Sequence, residues 1–410
     1  MRIAGTFLLI CASVLACPAD VLADVPPWGN YQADPAHTGH MPVSLNPADF
    51  ALRWSVPVGS SHSLNPVTAA EGLVFVTKRI YFDEVDTAFA LNAETGAIVW
   101  SKNFGDIHSV NPPAYAYGNV YFQTGNHDND SYLRAYNAQS GEFVFRSPYS
   151  AQWDRYYAPT IKDGKVYVGG GYYGGMYRFD AYSGQQNWWT DLNGYDQWTP
   201  AVDHKYAYAY IGRSSGSVSS AGLHVVNRDT GAEVSFIEDT DFDWYGWSMN
   251  QAPVIGNNDN VLVIQDSRLV SFDLSTEQIG WQLSRSFTGQ PSVANGVVYA
   301  LDSGALTAWD EATGAFLWGW EAPGGANLTG TFIVTDSHIF TRSSSMTYAV
   351  DLATHDDVWS YAQGGNLTLS EDVLYITGSA GHLTAISVPE PGSMLLMLGA
   401  AGVLVLRRRG

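Results

Sequence analysis

An Asp or Asn, a Gly four residues on and an aromatic eight residues on form a phrase that recurs down the chain. Asn92, Gly96 and Trp100 make the first set, Asn137, Gly141 and Phe145 the second, and Asp180, Gly184 and Trp188 the third. The phrase weakens at Asn227 and Gly231, where Ser235 replaces the aromatic. It returns as Asp273 with Trp281, Asp310 and Gly314 with Trp318, and Asp351 with Trp359. Successive Asp/Asn positions are 45, 43, 47, 46, 37 and 41 residues apart. Self-similarity at this period requires one supersecondary unit repeated many times.

Each unit reads as four short strands. Around the sixth, Pro291–Ala294, Val297–Ala300, Ala305–Trp309 and Ala315–Trp318 alternate β-branched or aromatic residues and are separated by Asn295-Gly296, Ser303-Gly304 and the Asp310–Gly314 turn. These are hairpin signals. Asp310 accepts from amides inside its turn, and Gly314 supplies the positive φ that closes it. No helical segment intervenes, so the fold class is all-β. The eighth unit, Leu374–Thr377 and His382–Ser387, has no fourth strand after it, whereas Leu52–Val56, with Trp54, is a fourth strand with no blade before it. Joining them predicts a closed eight-bladed β-propeller of four-stranded antiparallel blades over residues 52–387, with no open edge between first and last blades.

The run Ala308-x-Asp310-x-x-Thr313-Gly314-x-x-x-Trp318 resembles the tryptophan-docking repeat of PQQ-type, or quinoprotein-like, eight-bladed propellers, and Ala90–Trp100 matches it with Asn for Asp. The resemblance implies that Trp54, Trp100, Phe145, Trp188, Trp281, Trp318 and Trp359 pack against neighbouring blades. This is a packing device and does not by itself assign an activity.

Both ends read as processing signals. Met1-Arg2, an apolar run from Ile3 to Leu15 and small residues before Asp24 form a secretory leader over residues 1–23. Lipidation at Cys17 is the lesser alternative, because Leu15 is bulky where a lipobox has a small residue. Residues 388–410 carry Pro389-Glu390-Pro391, an apolar run from Met394 to Leu406, and Arg407, Arg408 and Arg409. That order resembles a PEP-CTERM sorting tag, which implies export in a Gram-negative bacterium and processing by an exosortase besides signal peptidase. The apolar run is short for a relaxed membrane span, and the arginines would hold its end on the cytoplasmic side. Residues 24–51, rich in Pro, read as an extended segment lying along the outside of the ring.

Both cysteines, Cys11 and Cys17, lie in the leader, so the mature chain is expected to hold no disulfide and no thiol nucleophile. With 20 basic against 40 acidic side chains, net −20, the chain repels phosphate backbones, which argues against nucleic acid as a partner. A surface divalent cation stays open.

Several catalytic-looking strings read as structure. Gly212-Arg213-Ser214-Ser215-Gly216 fits a nucleophile elbow, but strands continue on both sides. Gly169-x-Gly171-x-x-Gly174 lacks the helix that would present amides to phosphate. Asp239-x-Asp241-x-Asp243 starts like a calcium loop but has Trp244 where Gly is needed. His127–Asp130 is a weak surface alternative. No metal ligand set is assigned.

Repeat alignment gives the better candidate. The connections from an outermost strand to the next innermost strand open onto the axial face, and two carry one phrase: His62-Ser63-Leu64-Asn65-Pro66 and His108-Ser109-Val110-Asn111-Pro112. Equivalent places hold Tyr157, Trp198, Asn250 with Gln251, Gln290, Thr331 and Asn366. The expected funnel therefore gathers His62, Asn65, His108, Asn111, Tyr157, Trp198, Asn250 and Gln251, with both imidazoles at the mouth and Tyr157 or Trp198 as a stacking wall. The patches Trp188-Trp189, Trp244–Trp247 and Trp318–Trp320 are further candidates for stacking sugars, with blade core as their default reading. The favoured function is a non-catalytic, surface-directed scaffold binding a ligand or partner, such as extracellular polysaccharide or a surface protein. The alternative is a PQQ-dependent dehydrogenase. The resemblance implies for that class an adjacent cysteine pair, calcium ligands and a catalytic Asp. The mature chain has no cysteine, so PQQ is not expected.

Overall fold

The computed structural model describes residues 28–390, apart from 60–61, 81, 83–84, 127–130, 152–156, 171–173, 193–196, 216–217, 243–249 and 379–380. Eight small antiparallel sheets stand in a ring, the eight-bladed propeller that the repeat predicts. In blade 6, Phe287–Ala294, Val297–Asp302, Ala305–Asp310 and Phe316–Trp320 run from axis to rim. Blade 8 takes Asn366–Ser370, Val373–Thr377 and His382–Ser387 from the end of the chain and Ala51–Pro57 from its start, with Ala51 opposite Ser387 and Trp54 opposite Ala385. Ring closure by an N-terminal strand is thus observed.

The chain reverses at alternate ends of each blade, so two faces of the ring differ. One face carries the connections between blades and the turns between second and third strands; we call it the funnel face. The other carries the first-to-second turns and the Asp/Asn-to-Gly turns; this is the turn face. Gly212–Ser215 lies within the strand Tyr206–Ser215, which pairs with Val218–Asn227, and Gly169 and Gly174 flank the connection from Lys165–Gly169 to Met176–Asp180, so both strings lie between paired strands with no helix following. Trp244–Trp247 lies outside the described residues, as does His127–Asp130.

Blade-to-blade packing explains the recurring phrase. Four docking indoles lie over the turn glycine of the next blade: a Cβ on Gly96 would come 2.8 Å from Trp54, one on Gly141 2.8 Å from Trp100, one on Gly231 2.8 Å from Trp188, and one on Gly314 2.9 Å from Trp281. The glycine is required twice over, because its φ is also positive, 70° at Gly96. Each indole then donates to the carbonyl of the residue after the Asp/Asn: Trp54 to Ala93 (2.8 Å), Trp100 to Ala138 (2.8 Å), Trp188 to Arg228 (3.0 Å) and Trp281 to Glu311 (3.0 Å). Phe145 has no such donor, and the Tyr121 hydroxyl of the same blade reaches the equivalent carbonyl of Ala181 at 2.9 Å. Trp318 instead stacks on His355, ring centroids 4.0 Å apart, and Trp359 meets Phe50 edge-on.

The N-terminal segment corrects one expectation. It does not lie outside the ring; it fills the axis. Trp28 bridges Ala69 of blade 1, and its amide donates to Ser370 Oγ of blade 8 at 3.2 Å. Tyr115, Val202, Ile255, Val293 and Val334, equivalent residues of the innermost strands, donate their amides to the carbonyls of Gly29, Pro35, Ala36, Thr38 and Gly39 at 2.8–2.9 Å. Ile161 does the same to Asn30 Oδ1 at 2.6 Å. The reason is general: a ring of innermost strands leaves eight edges facing the axis, and each buried amide there needs an acceptor. A Pro-rich strand that cannot pair regularly still offers carbonyls. His40–Met41 then pairs in parallel with Ile333–Thr335, and the segment leaves across the turn face into Ala51–Pro57.

Candidate functional site

With the axis filled, the funnel becomes a cup. Its floor is the segment from Trp28 to Gln32 and its walls are the inter-blade connections of blades 1, 2, 3, 7 and 8, enclosing about 370 Å³. The floor is built around His37, which is wholly buried. Its Nδ1 lies 3.0 Å from the Pro253 carbonyl and its Nε2 2.9 Å from Thr160 Oγ1. A carbonyl only accepts, so Nδ1 carries the proton and Nε2 accepts from the threonine hydroxyl. Burial pushes this imidazole down to about 4, outweighing the bond to Pro253. Gln32, 3% exposed, donates from Nε2 to His37 O (2.8 Å) and Pro291 O (3.1 Å). Its Oε1 has no hydrogen-bond partner among the described residues, and Gln32 lines the cup.

The predicted amides arrive as expected in part. Asn65 and Asn111 line the cup, as do Tyr157, Thr331 and Asn366. Asn65 is also a joint: its Nδ2 donates to Thr77 Oγ1 (2.8 Å) in its own blade and to Val110 O (2.9 Å) in the next. The Asn111 carbonyl accepts from the same Thr77 hydroxyl at 3.0 Å. Tyr157 packs 4.6 Å from Tyr31 of the floor, and burial pushes its hydroxyl up to about 12, so it stays a neutral donor.

Other expectations need correction. His62 and His108 are not in the wall. His108 sits half-buried, edge-on to Phe82 at 5.6 Å. Ser109, Val110 and Asn111 after His108, and Asn65 after His62, line the cup in their stead. Trp198 is no stacking wall either: it is fully buried in a core with Tyr167, Met176 and Ile211, pressed against Gly169. Asn250–Gln251 pairs in parallel with Gln197–Trp198, away from the cup; the Asn250 and Gln251 side chains lie outside the described residues. Sequence reasoning missed Trp28, Asn30, Tyr31, Gln32 and Arg79, all in the wall. Their signal would have been the amides of eight axial edges, which demand an internal occupant.

Arg79, which is exposed, is the only charged side chain among the described residues of the wall. No carboxylate and no cysteine faces the cup there, so this donor set does not fit a quinone cofactor with its calcium ion. Asp239, the first residue of the calcium-like string, is engaged instead by Arg268 at 2.7 Å and Tyr210 at 2.8 Å.

The model of the family described as outer membrane protein assembly factor BamB matches residues 42–152 and 134–320. The chain belongs to this BamB family. Among solved structures it is similar to BamB from Moraxella catarrhalis, with a TM-score of 0.60 and 16% identity over 82% of this chain and 99% of that one. It is equally like a europium-containing methanol dehydrogenase, at 0.66 and 12% over 88% of this chain and 98% of that one. A quinohemoprotein alcohol dehydrogenase from Pseudomonas putida gives 0.64 and 15%, over 89% and 81%. At such identities these likenesses report the BamB-like fold alone. No curated protein matches. A PEP-CTERM protein-sorting motif covers residues 387–409, marking this family member for export and exosortase processing.

Proposed function

We propose that the protein is an exported, surface-directed propeller that holds a ligand in its axial cup without turning it over, and that the ligand class is extracellular polysaccharide. The observation that carries this reading is the wall itself: amides from Asn30, Gln32, Asn65, Asn111 and Asn366, aromatic faces from Trp28, Tyr31 and Tyr157, and no carboxylate or cysteine among its described residues. Hydroxyl-rich ligands need such alternating donors and acceptors beside apolar faces. Acid–base or covalent chemistry needs a titratable or nucleophilic group at the reacting atoms, and Tyr157 held at about 12 is no base near neutral pH. The reading takes exosortase and signal peptidase as processing partners, the periplasmic face, outer surface or extracellular matrix as destination, and no PQQ.

Titration calorimetry of the mature protein against acidic and neutral exopolysaccharide fragments tests it. Tyr157→Ala and Asn366→Ala should each weaken capture while the far-ultraviolet spectrum stays unchanged. Capture unaffected by both changes overturns the cup as the site. PQQ- and calcium-dependent dye reduction by the wild type overturns the non-catalytic reading.

A further inference from the structure

The tail and the cup lie at opposite ends of the ring. The third strand of blade 8 ends at Ser387 on the turn face, and Val388 is fully buried, its amide donating to Asp372 O at 2.7 Å. Pro389 follows at once, so no linker separates the packed ring from the sorting motif. Only five residues, 389–393, stand between Val388 and the apolar run that begins at Met394. Fully extended, the six Cα steps from Val388 to Met394 reach about 22 Å at ~3.6 Å per step. The outermost strand of blade 8, Ala51–Pro57, by itself rises about 20 Å over its six steps at ~3.4 Å, and the funnel-face loops stand beyond it. A tether this short cannot run up the outside of blade 8 and bring the funnel face to a bilayer.

We propose that, while the tail is uncut, the ring stands with its turn face toward the membrane and its cup directed away from it. The inference rests on the reading of Met394–Leu406 as membrane-embedded. The turn face also carries exposed Glu71, Asp259, Glu277 and Asp356. Within a Debye length of about 8 Å these repel anionic headgroups, which keeps the face standing off rather than adhering and leaves the tail as the sole attachment. The cup is thereby open to solvent before processing as well as after it.

The chain from Asp24 onward has no native cysteine, so single cysteines report each face cleanly. Ala353→Cys lies on the turn face of blade 7 and Ser345→Cys on the funnel face of the same blade, both exposed. In phosphatidylglycerol-containing vesicles, a bulky polymer-linked maleimide should label Ser345→Cys at its solution rate and Ala353→Cys several-fold more slowly. The chain truncated after Glu390 should show both sites at full rate. Equal labelling of the two sites in vesicles, or protection of Ser345→Cys, overturns the orientation. Vesicle flotation separates the two ideas: a chain that does not float overturns the anchoring and this inference with it, whereas a floating chain with reversed protection overturns the orientation alone.

Discussion

Two kinds of joint between blades contrast most sharply. Between blades 8 and 1, 1 and 2, 3 and 4, and 5 and 6, an indole covers a turn glycine and donates to the neighbouring backbone, at the turn face. Between blades 4 and 5 both halves of that device are absent: Ser235 stands for the aromatic, and Glu277, at φ 54°, for the glycine. The joint is made at the other end instead, where Arg268 grips Asp239 through two bonds of 3.1 and 2.7 Å and Tyr210 adds a third of 2.8 Å. Both side chains are buried. A docked joint is sequence-local and apolar; the exceptional one is a desolvated ion pair whose strength depends on complete satisfaction of its charges. Where the aromatic is missing, the polar fastening sits at the funnel face rather than the turn face.

The largest effect is expected at a docked joint. Trp54→Ala should lower stability by about 3–5 kcal/mol, because it empties a buried site and uncouples the closing strand. An unchanged thermal midpoint would show that closure contributes little. At the exceptional joint, Arg268→Met alone should cost about 3 kcal/mol or more, since it strands a buried carboxylate, while Asp239→Leu with Arg268→Met should recover most of that. Urea titration of the single and double variants decides the point; a double variant as weak as the single one would mean that the pair is not the fastening.

A pH dependence of stability is also built into the axis. The unfolded chain protonates His37 near its ordinary 6.5, but the folded chain resists until about 4. Between those values the unfolded state binds the extra proton, so stability is full above pH 6.5 and falls as pH drops toward 4. The total is about 3 kcal/mol at ~1.36 kcal/mol per unit. His37→Gln should flatten that part of the pH–stability curve relative to the wild type, and an unaltered slope would contradict the assignment. The smallest effect belongs to the improvised donor: Tyr121→Phe should cost about 1–2 kcal/mol by leaving the Ala181 carbonyl unpaired, and no loss in the midpoint would show that water serves as well.

Much of this was legible beforehand. The period, the closing strand and the gap at Ser235 follow from residue types at fixed spacing, and such patterns record local turn chemistry. Asn65 and Asn111 were legible for the same reason, as repeats of one loop. What the sequence could not disclose was partnership over long separations. Tyr121 substituting for a missing indole and Arg268 finding Asp239 depend on which side chain meets which across a blade. Prolines at 35, 42 and 47 announced irregular backbone, but only the unmet amides of the innermost strands say where such backbone belongs. His62 and His108 were misplaced because equal spacing fixes where a loop residue sits, not which way it points.

The axial segment and the closing strand are consecutive, and both bind the last blade as well as the first. Trp28 holds Ser370 across 342 positions, and Ala51 pairs with Ser387. In chain order these are the first of the described residues, yet their partners are among the last. Contacts this distant in sequence form slowly, because a long loop must close before they contribute. The ring therefore cannot close, and its axial segment stays unhoused, until blade 8 is in place. Completion of the fold and exposure of the sorting motif at residues 387–409 thus depend on the same last stretch of chain.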